Sequence, residues 1–284
     1  MTMNRWGRSR ALAAALAIGA VGLVACGGGN VDAARRFDVE FRQPEPGRLL
    51  VSLPSSVGAG LVTFHIKNST VEEHDAQLIR VTGNQGPEEV ARLFRLASAS
   101  GFRVPSWVRG GGGVLDIEPG ETATLRQRLD EGDWYLVNLR ALDRGGVVPF
   151  IVSSGGSAAD LPSATSRVRA RDFSFEPRAL RPGTHRVRFE NRGREMHEMV
   201  AMPLQAGRTL DDAKAYLANP TGSPTDAPVL TTNRVRLPLL DRGDALVTEL
   251  TFSPGTWILA CLLGDRGGGP SHVVRGMVTE VKIG

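Results

Sequence analysis

Gly255-Thr256-Trp257-Ile258-Leu259 answers, 123 residues on, to Gly132-Asp133-Trp134-Tyr135-Leu136. At the same offset Pro54 falls on Pro177, Gly60 on Gly183, Asn68 on Asn191, His74 on His197, Glu88-Glu89 on Asp211-Asp212 and Gly120 on Gly243. An offset held constant over about 80 residues marks a duplicated unit. Two copies follow, roughly 46–155 and 164–284, joined through the Ser/Gly/Ala-rich stretch Ser153 to Ser166 with its linker at 156–163.

Each copy reads mainly as strands. In the second, Val168 to Phe175 alternates, with Val168 and Ala170 followed by Phe173 and Phe175. Pro182-Gly183 marks a turn, and Val187 and Phe189 share a face. Ala245 to Phe252, the turn Ser253-Pro254-Gly255, the run Trp257 to Leu263 and a last strand Met277 to Ile283 complete it. Short strands punctuated by Pro-Gly turns predict an all-β sandwich. One helical insertion is predicted per copy: from Pro87-Glu88-Glu89 to about Ala97, and from Thr209 through Asp211-Asp212 to about Ala218. Both have acidic first turns that suit the helix dipole.

The chain has 284 residues, 41% of them hydrophobic, which suffices for one large or two ordinary domains. Its formal charge is +4, but Arg5, Arg8 and Arg10 supply three of those charges and no dense basic run remains, so nucleic acid is not an expected partner. The only two cysteines, Cys26 and Cys261, exclude a multi-disulfide framework and a thiolate-built zinc site.

Residues 1–25 have the layout of an export signal: Arg5 to Arg10 are positive, Ala11 to Val24 are small or apolar, and Leu23-Val24-Ala25-Cys26 closes the segment. That ending resembles a bacterial lipobox. The resemblance implies a lipid on Cys26, a tether over 26–45, and a chain anchored to a bacterial membrane on its periplasmic or cell-surface side. Cys261 is then left without a partner in an oxidising compartment, and such a thiol has to be buried or bound.

Four residues of the second copy form a metal-ligand constellation: His197, in Asn191 to Glu198; Cys261, after the Trp257 strand; and His272 and Met277, in Pro270 to Met277. Two nitrogens and a thiolate make a trigonal set with a thioether on its axis, the arrangement of a mononuclear blue-copper centre. Taken singly, each residue has an ordinary reading as core or surface. Together they stand in the required order, in a chain with five histidines. The second copy resembles the cupredoxins, the plastocyanin-like and azurin-like sandwiches. Phe173-Ser174-Phe175-Glu176-Pro177 with Pro182-Gly183 looks like the opening strand and turn, Phe189-Glu190-Asn191 with His197 like the first ligand segment, and Phe252-Ser253-Pro254-Gly255-Thr256-Trp257 like the run into the ligand cysteine. The resemblance implies two tandem cupredoxin-like Greek-key β-sandwiches and one copper ion in the second, held by His197, Cys261, His272 and Met277. The spacing departs from the family's: His272 to Met277 has the family's four intervening residues, but ten separate Cys261 from His272, so Leu262 to Ser271 is read as a loop insertion.

In the first copy Asn138 stands where the second has Cys261, and the loop from Asp143 to Phe150 offers neither histidine nor methionine. Only His74 survives, and that copy is expected to hold no metal. His65 and His185 lie in strands without a partner motif. Ala260 and Leu262 flank Cys261, so no histidine beside the cysteine couples it to a second copper centre, and an oxidase or nitrite reductase is not expected. The favoured function is a lipid-anchored carrier of single electrons serving an unidentified redox protein. A Cu(I) delivery protein is the second reading, motivated by Met196, Met199 and Met202, although Met196 and Met202 would face away from His197 on a strand. A non-redox envelope module with a vestigial site is the third.

Overall fold

Strand pairing follows the repeat. In the computed structural model, which describes residues 35–97, 104–219 and 226–284, the first copy runs β1 (Arg35–Glu45), β2 (Arg48–Ser52), β3 (Ser56–Asn68), β4 (His74–Val81), α1 (Pro87–Leu96), β5 (Val108–Ile117), β6 (Thr122–Leu129), β7 (Gly132–Val137) and β8 (Val147–Ser157). The second runs β9 (Ser166–Arg171), β10 (Ser174–Arg178), β11 (Gly183–Asn191), β12 (His197–Pro203), α2 (Leu210–Ala218), β13 (Val235–Leu240), β14 (Ala245–Phe252), β15 (Gly255–Ala260) and β16 (Val278–Ile283). β4, α1, β6 and β7 start 123 residues before β12, α2, β14 and β15. The pairs β1–β2, β1–β3, β3–β6, β4–β5, β4–β7 and β7–β8 recur as β9–β10, β9–β11, β11–β14, β12–β13, β12–β15 and β15–β16, each with the same parallel or antiparallel sense. The fold is the all-β sandwich expected, with one short helix inserted in each copy among the described residues.

In β14, Leu246, Leu250 and Phe252 are buried while Glu249 and Thr251 are exposed, and Val247 and Thr248, which pair with β6, are buried as well. β15 is buried on both faces. Trp257 and Leu259 join the central core, whereas Ile258 and Ala260 join Val200, Met202 and Ala213 under α2. In the first copy α1 covers Ile79, Val81, Tyr135 and Val137 in the same way. α2 begins on a capping box in which Thr209 and Asp212 each satisfy the other's backbone N–H. α1 has Pro87 in its first turn with Glu88 and Glu89 behind it.

Two local readings are corrected. Residues 35–45, assigned to the tether, are β1, because Phe37, Val39 and Phe41 alternate into the core and the strand lies parallel to β3. The single strand read from Val168 to Phe175 is a hairpin, β9 and β10, turning at Asp172-Phe173. The step of three between Ala170 and Phe173, where alternation allows two or four, was the sign of that turn. Cys26 and the rest of the proposed signal lie outside the described residues.

Strands also pair between copies. β6 pairs with β14 through Leu125 to Gln127, and β5 meets β13 at Gly111 and Leu240. The Cβ that any other residue would add at Gly110 would stand 2.7 Å from the Met196 sulfur, so glycine is what lets β5 come this close. Beside this contact Arg236 reaches Asp75 at 3.0 Å and Asp116 at 2.6 Å, tying β13 to the first copy through charge-assisted bonds.

Candidate metal centre

Cys261, His197, His272 and Met277 come together at one end of the second copy, all fully buried. His197 opens β12, Cys261 follows β15, and Met277 precedes β16. The backbone explains how ten intervening residues still leave Cys261 beside His272. The loop is pinched at its base by His272 N–H donating to the Leu263 carbonyl at 2.7 Å and by a bridge between Gly264 and Ser271, so the insertion leaves and returns at one place. Met277 is stitched into the same ladder, its N–H donating to the His272 carbonyl at 2.9 Å and its carbonyl accepting from Cys261 N–H at 3.3 Å.

The tip of the insertion is anchored away from the site. The Arg266 guanidinium donates to the Val108 carbonyl at 2.9 Å and to Asp241 at 2.7 Å, and the Arg266 carbonyl accepts from Val104 N–H at 3.1 Å. Val104 and Val108 belong to the first copy, so the loop that carries His272 is braced on it.

Three donor atoms converge. The Nδ1 atoms of His197 and His272 lie 3.2 Å apart, and the Cys261 Sγ lies 3.3 Å from the second and 3.9 Å from the first. A triangle with those sides has a centre about 2.0 Å from each corner, which is the length of a metal–imidazole bond and slightly short for a metal–thiolate bond. The three residues thus fit a single ion in a trigonal set, with no rearrangement beyond a few tenths of an ångström.

Burial decides their protonation in the metal-free protein. It pushes the Cys261 thiol well up, helped by the Glu198 carboxylate. It also pulls His197 down to about 4, with His272 adding to the effect, and lowers His272 as well. Both imidazoles are therefore neutral and ready to donate a lone pair, while the thiol has to lose its proton when a metal enters.

Away from this point, both imidazole Nε2 atoms face carboxylates. His197 Nε2 lies 3.4 Å from Asp172 Oδ1, on the β9–β10 turn. His272 Nε2 lies 3.5 Å from Asp265 Oδ1, on the inserted loop. Sequence reasoning missed both aspartates, because each reaches its imidazole through the fold and neither stands at ligand spacing. His65 and His185 lie in β3 and β11, and His185 Nδ1 meets the Gly183 carbonyl at 3.0 Å. Of the clustered methionines, Met199 packs in the central core with Cys261 and Met277, while Met202 lies across β12 in the cluster under α2.

The first copy places His74 where the second places His197, at the head of β4. Its Nδ1 is 2.8 Å from the Asn138 amide nitrogen and its Nε2 is 2.9 Å from the Thr70 hydroxyl, so both ring nitrogens are engaged. Asn138 also accepts from the N–H groups of Asp75 and Arg140.

Many solved structures resemble this fold. Auracyanin B is 20% identical, with 45% of this chain and 93% of that chain covered and a TM-score of 0.29. Dithionite-reduced auracyanin from Roseiflexus castenholzii is 17% identical over 42% of this chain and 94% of that one, with a TM-score of 0.27. A blue copper oxidase from Nitrosomonas europaea is 15% identical over 88% and 86%, with a TM-score of 0.23. No protein-family model and no curated protein sequence matches the chain.

Proposed function

We propose that this chain is a blue-copper electron carrier with one mononuclear site, whose ion would be held by the thiolate of Cys261, Nδ1 of His197 and His272, and Met277. The observation that carries the reading is the convergence of two Nδ1 atoms and one Sγ on a point at bonding distance from all three. Thiolate with imidazole is the donor chemistry that suits copper in both oxidation states. Copper would supply one-electron Cu(I)/Cu(II) exchange. The chain's part is to hold the donors: β12, β15 and the base of the inserted loop fix them from separate elements, and burial keeps water from them.

The wider reading adds three parts. The two copies are two cupredoxin-like domains, of which the second carries the copper. A lipid on Cys26 fastens the chain to a bacterial membrane on its outer side. The partner is a redox protein, and the chain is a carrier with no catalytic centre, since Ala260 and Leu262 rather than histidine flank Cys261. A Cu(I) delivery function has less support, because Met202 and Met199 are parted by β12 and offer no shared soft-ligand cluster.

The test is to express residues 35–284 and add Cu(II). One equivalent is expected to bind with an intense thiolate charge-transfer band that Cys261→Ser abolishes. Uptake of Cu(I) without that band would replace the carrier by a delivery protein, and no stoichiometric uptake would leave the vestigial reading.

A further inference from the structure

The outer edges of the two histidines are organised by residues that no ligand motif contains. Asp172 Oδ1 accepts from the backbone N–H groups of Arg194 at 2.7 Å and Glu195 at 3.0 Å while it faces His197 Nε2. Gly193 is required by this contact: a Cβ there would collide with Asp172 Oδ1 and stand 2.7 Å from His197 Nε2.

His272 is served from two sides. Asp265 faces its Nε2, and Asp265 is in turn held by Arg275. Phe173 meets the imidazole edge-on at 5.3 Å between ring centres, and the Arg275 guanidinium lies 4.8 Å from the centre of the Phe173 ring. Phe173 has φ of +66°, a left-handed conformation that costs an aromatic residue about 1–2 kcal/mol. One strained two-residue turn, Asp172-Phe173, thus delivers a carboxylate to one imidazole and a ring to the other. His272 Nε2 and Asp265 Oδ1 are both buried without a completed hydrogen bond, which marks this pair as poised to close by a small movement.

We propose that Asp172 and Asp265 are positioning residues that hold His197 and His272 as Nε2–H tautomers with Nδ1 turned to the metal point, that their charges favour the more positive state of the ion, and that Phe173 with Arg275 seals His272 from solvent. The tautomer part concerns this chain's own imidazoles, while the charge and sealing parts rest on the copper reading. A metal-bound imidazole whose other nitrogen meets a carboxylate is a more basic, better oriented ligand.

Five variants of the 35–284 chain test this, with far-UV circular dichroism confirming that each folds. In the metal-free wild type, 15N NMR is expected to show both imidazoles protonated on Nε2. Asp172→Ala and Asp265→Ala are expected to give mixed tautomers, each at its own histidine. With copper, Asp172→Asn and Asp265→Asn are expected to keep the thiolate band and to lower the Cu(II)-to-Cu(I) affinity ratio about tenfold, a rise of about 59 mV in a one-electron potential. Phe173→Gly is expected to speed removal of copper by a chelator about tenfold. An Nδ1–H tautomer in the wild type, or potentials and tautomers unchanged in the aspartate variants, would overturn the proposal. If no form bound copper, the copper reading would fail by itself, and the metal-free NMR would still decide whether the aspartates set the tautomers.

Discussion

The heads of β4 and β12 carry the same residue, yet His74 and His197 live in opposite surroundings. His74 spends both ring nitrogens on protein partners, Asn138 and Thr70. His197 turns Nδ1 toward the Nδ1 of His272 at 3.2 Å and the Cys261 sulfur at 3.9 Å, atoms that a single metal ion could join. One site is closed by hydrogen bonds, and the other sets three donor atoms around one point. A buried imidazole can be satisfied by hydrogen bonds or by a metal, and at this point one copy has Asn138 where the other has Cys261.

The largest expected effect breaks the comparison from the metal side. Copper at a thousand times its dissociation constant should raise the unfolding free energy of the wild type by about 4 kcal/mol. Cys261→Ser should show almost none of this in denaturant titrations with and without copper. Equal stabilisation of the two proteins would place the ion elsewhere.

Acid should act next, on the metal-free protein. With His197 held down to about 4 in the folded state against about 6.5 unfolded, the unfolded chain takes up the proton first as pH falls. Stability is therefore full above about pH 6.5 and is lost on the way down to about pH 4, by about 3 kcal/mol from His197. His74, also lowered by burial, adds a loss of the same sign. A denaturation series from pH 8 to 4 checks the slope, and flat stability over that window would contradict it.

Removing the plug of the first copy should cost less. Asn138→Ala leaves His74 Nδ1 and the N–H groups of Asp75 and Arg140 without their acceptor or donor, and about 2 kcal/mol of stability should go with them. Asn138→Cys should add no second equivalent of copper, because no second imidazole meets His74 among the described residues. A new thiolate band in that variant would show that the two sites differ by less than the structure implies.

The smallest effect sharpens the link between the copies. Arg266→Ala frees the tip of the ligand loop from Val108 and Asp241, and about 1 kcal/mol of stability should be lost. A broader thiolate band should accompany it if bracing by the first copy helps to hold His272. Unchanged spectra would make Arg266 a fastener of the two copies alone.

Much of this was legible beforehand because it is local or periodic. Alternation marked the strands, and positions at the constant offset make matching hydrogen bonds. Asn68 and Asn191 each donate to the carbonyl two residues before their histidine and to one at the end of β5 or β13, and Trp134 and Trp257 each donate to a carbonyl four residues back. The four ligand candidates were visible because their order along the chain follows the order of strand ends. The β9–β10 hairpin was harder, since Asp172-Phe173 has no glycine or asparagine at its left-handed position and betrays itself only by a slip in phase. β1 was lost to the tether, although Phe37, Val39 and Phe41 alternate and its hairpin partner β2 begins at Arg48.

Duplication, strand class and donor types were thus encoded in residue spacing, which a linear reading can measure. Whether the donors meet, how a ten-residue insertion leaves Cys261 beside His272, and which carboxylates face the imidazoles were settled in three dimensions. Asp172 stands 25 residues before His197, and Asp265 reaches His272 only after a loop has doubled back. Contacts of that kind are set by strand register and by where a turn points a side chain, and neither has a period that sequence could display.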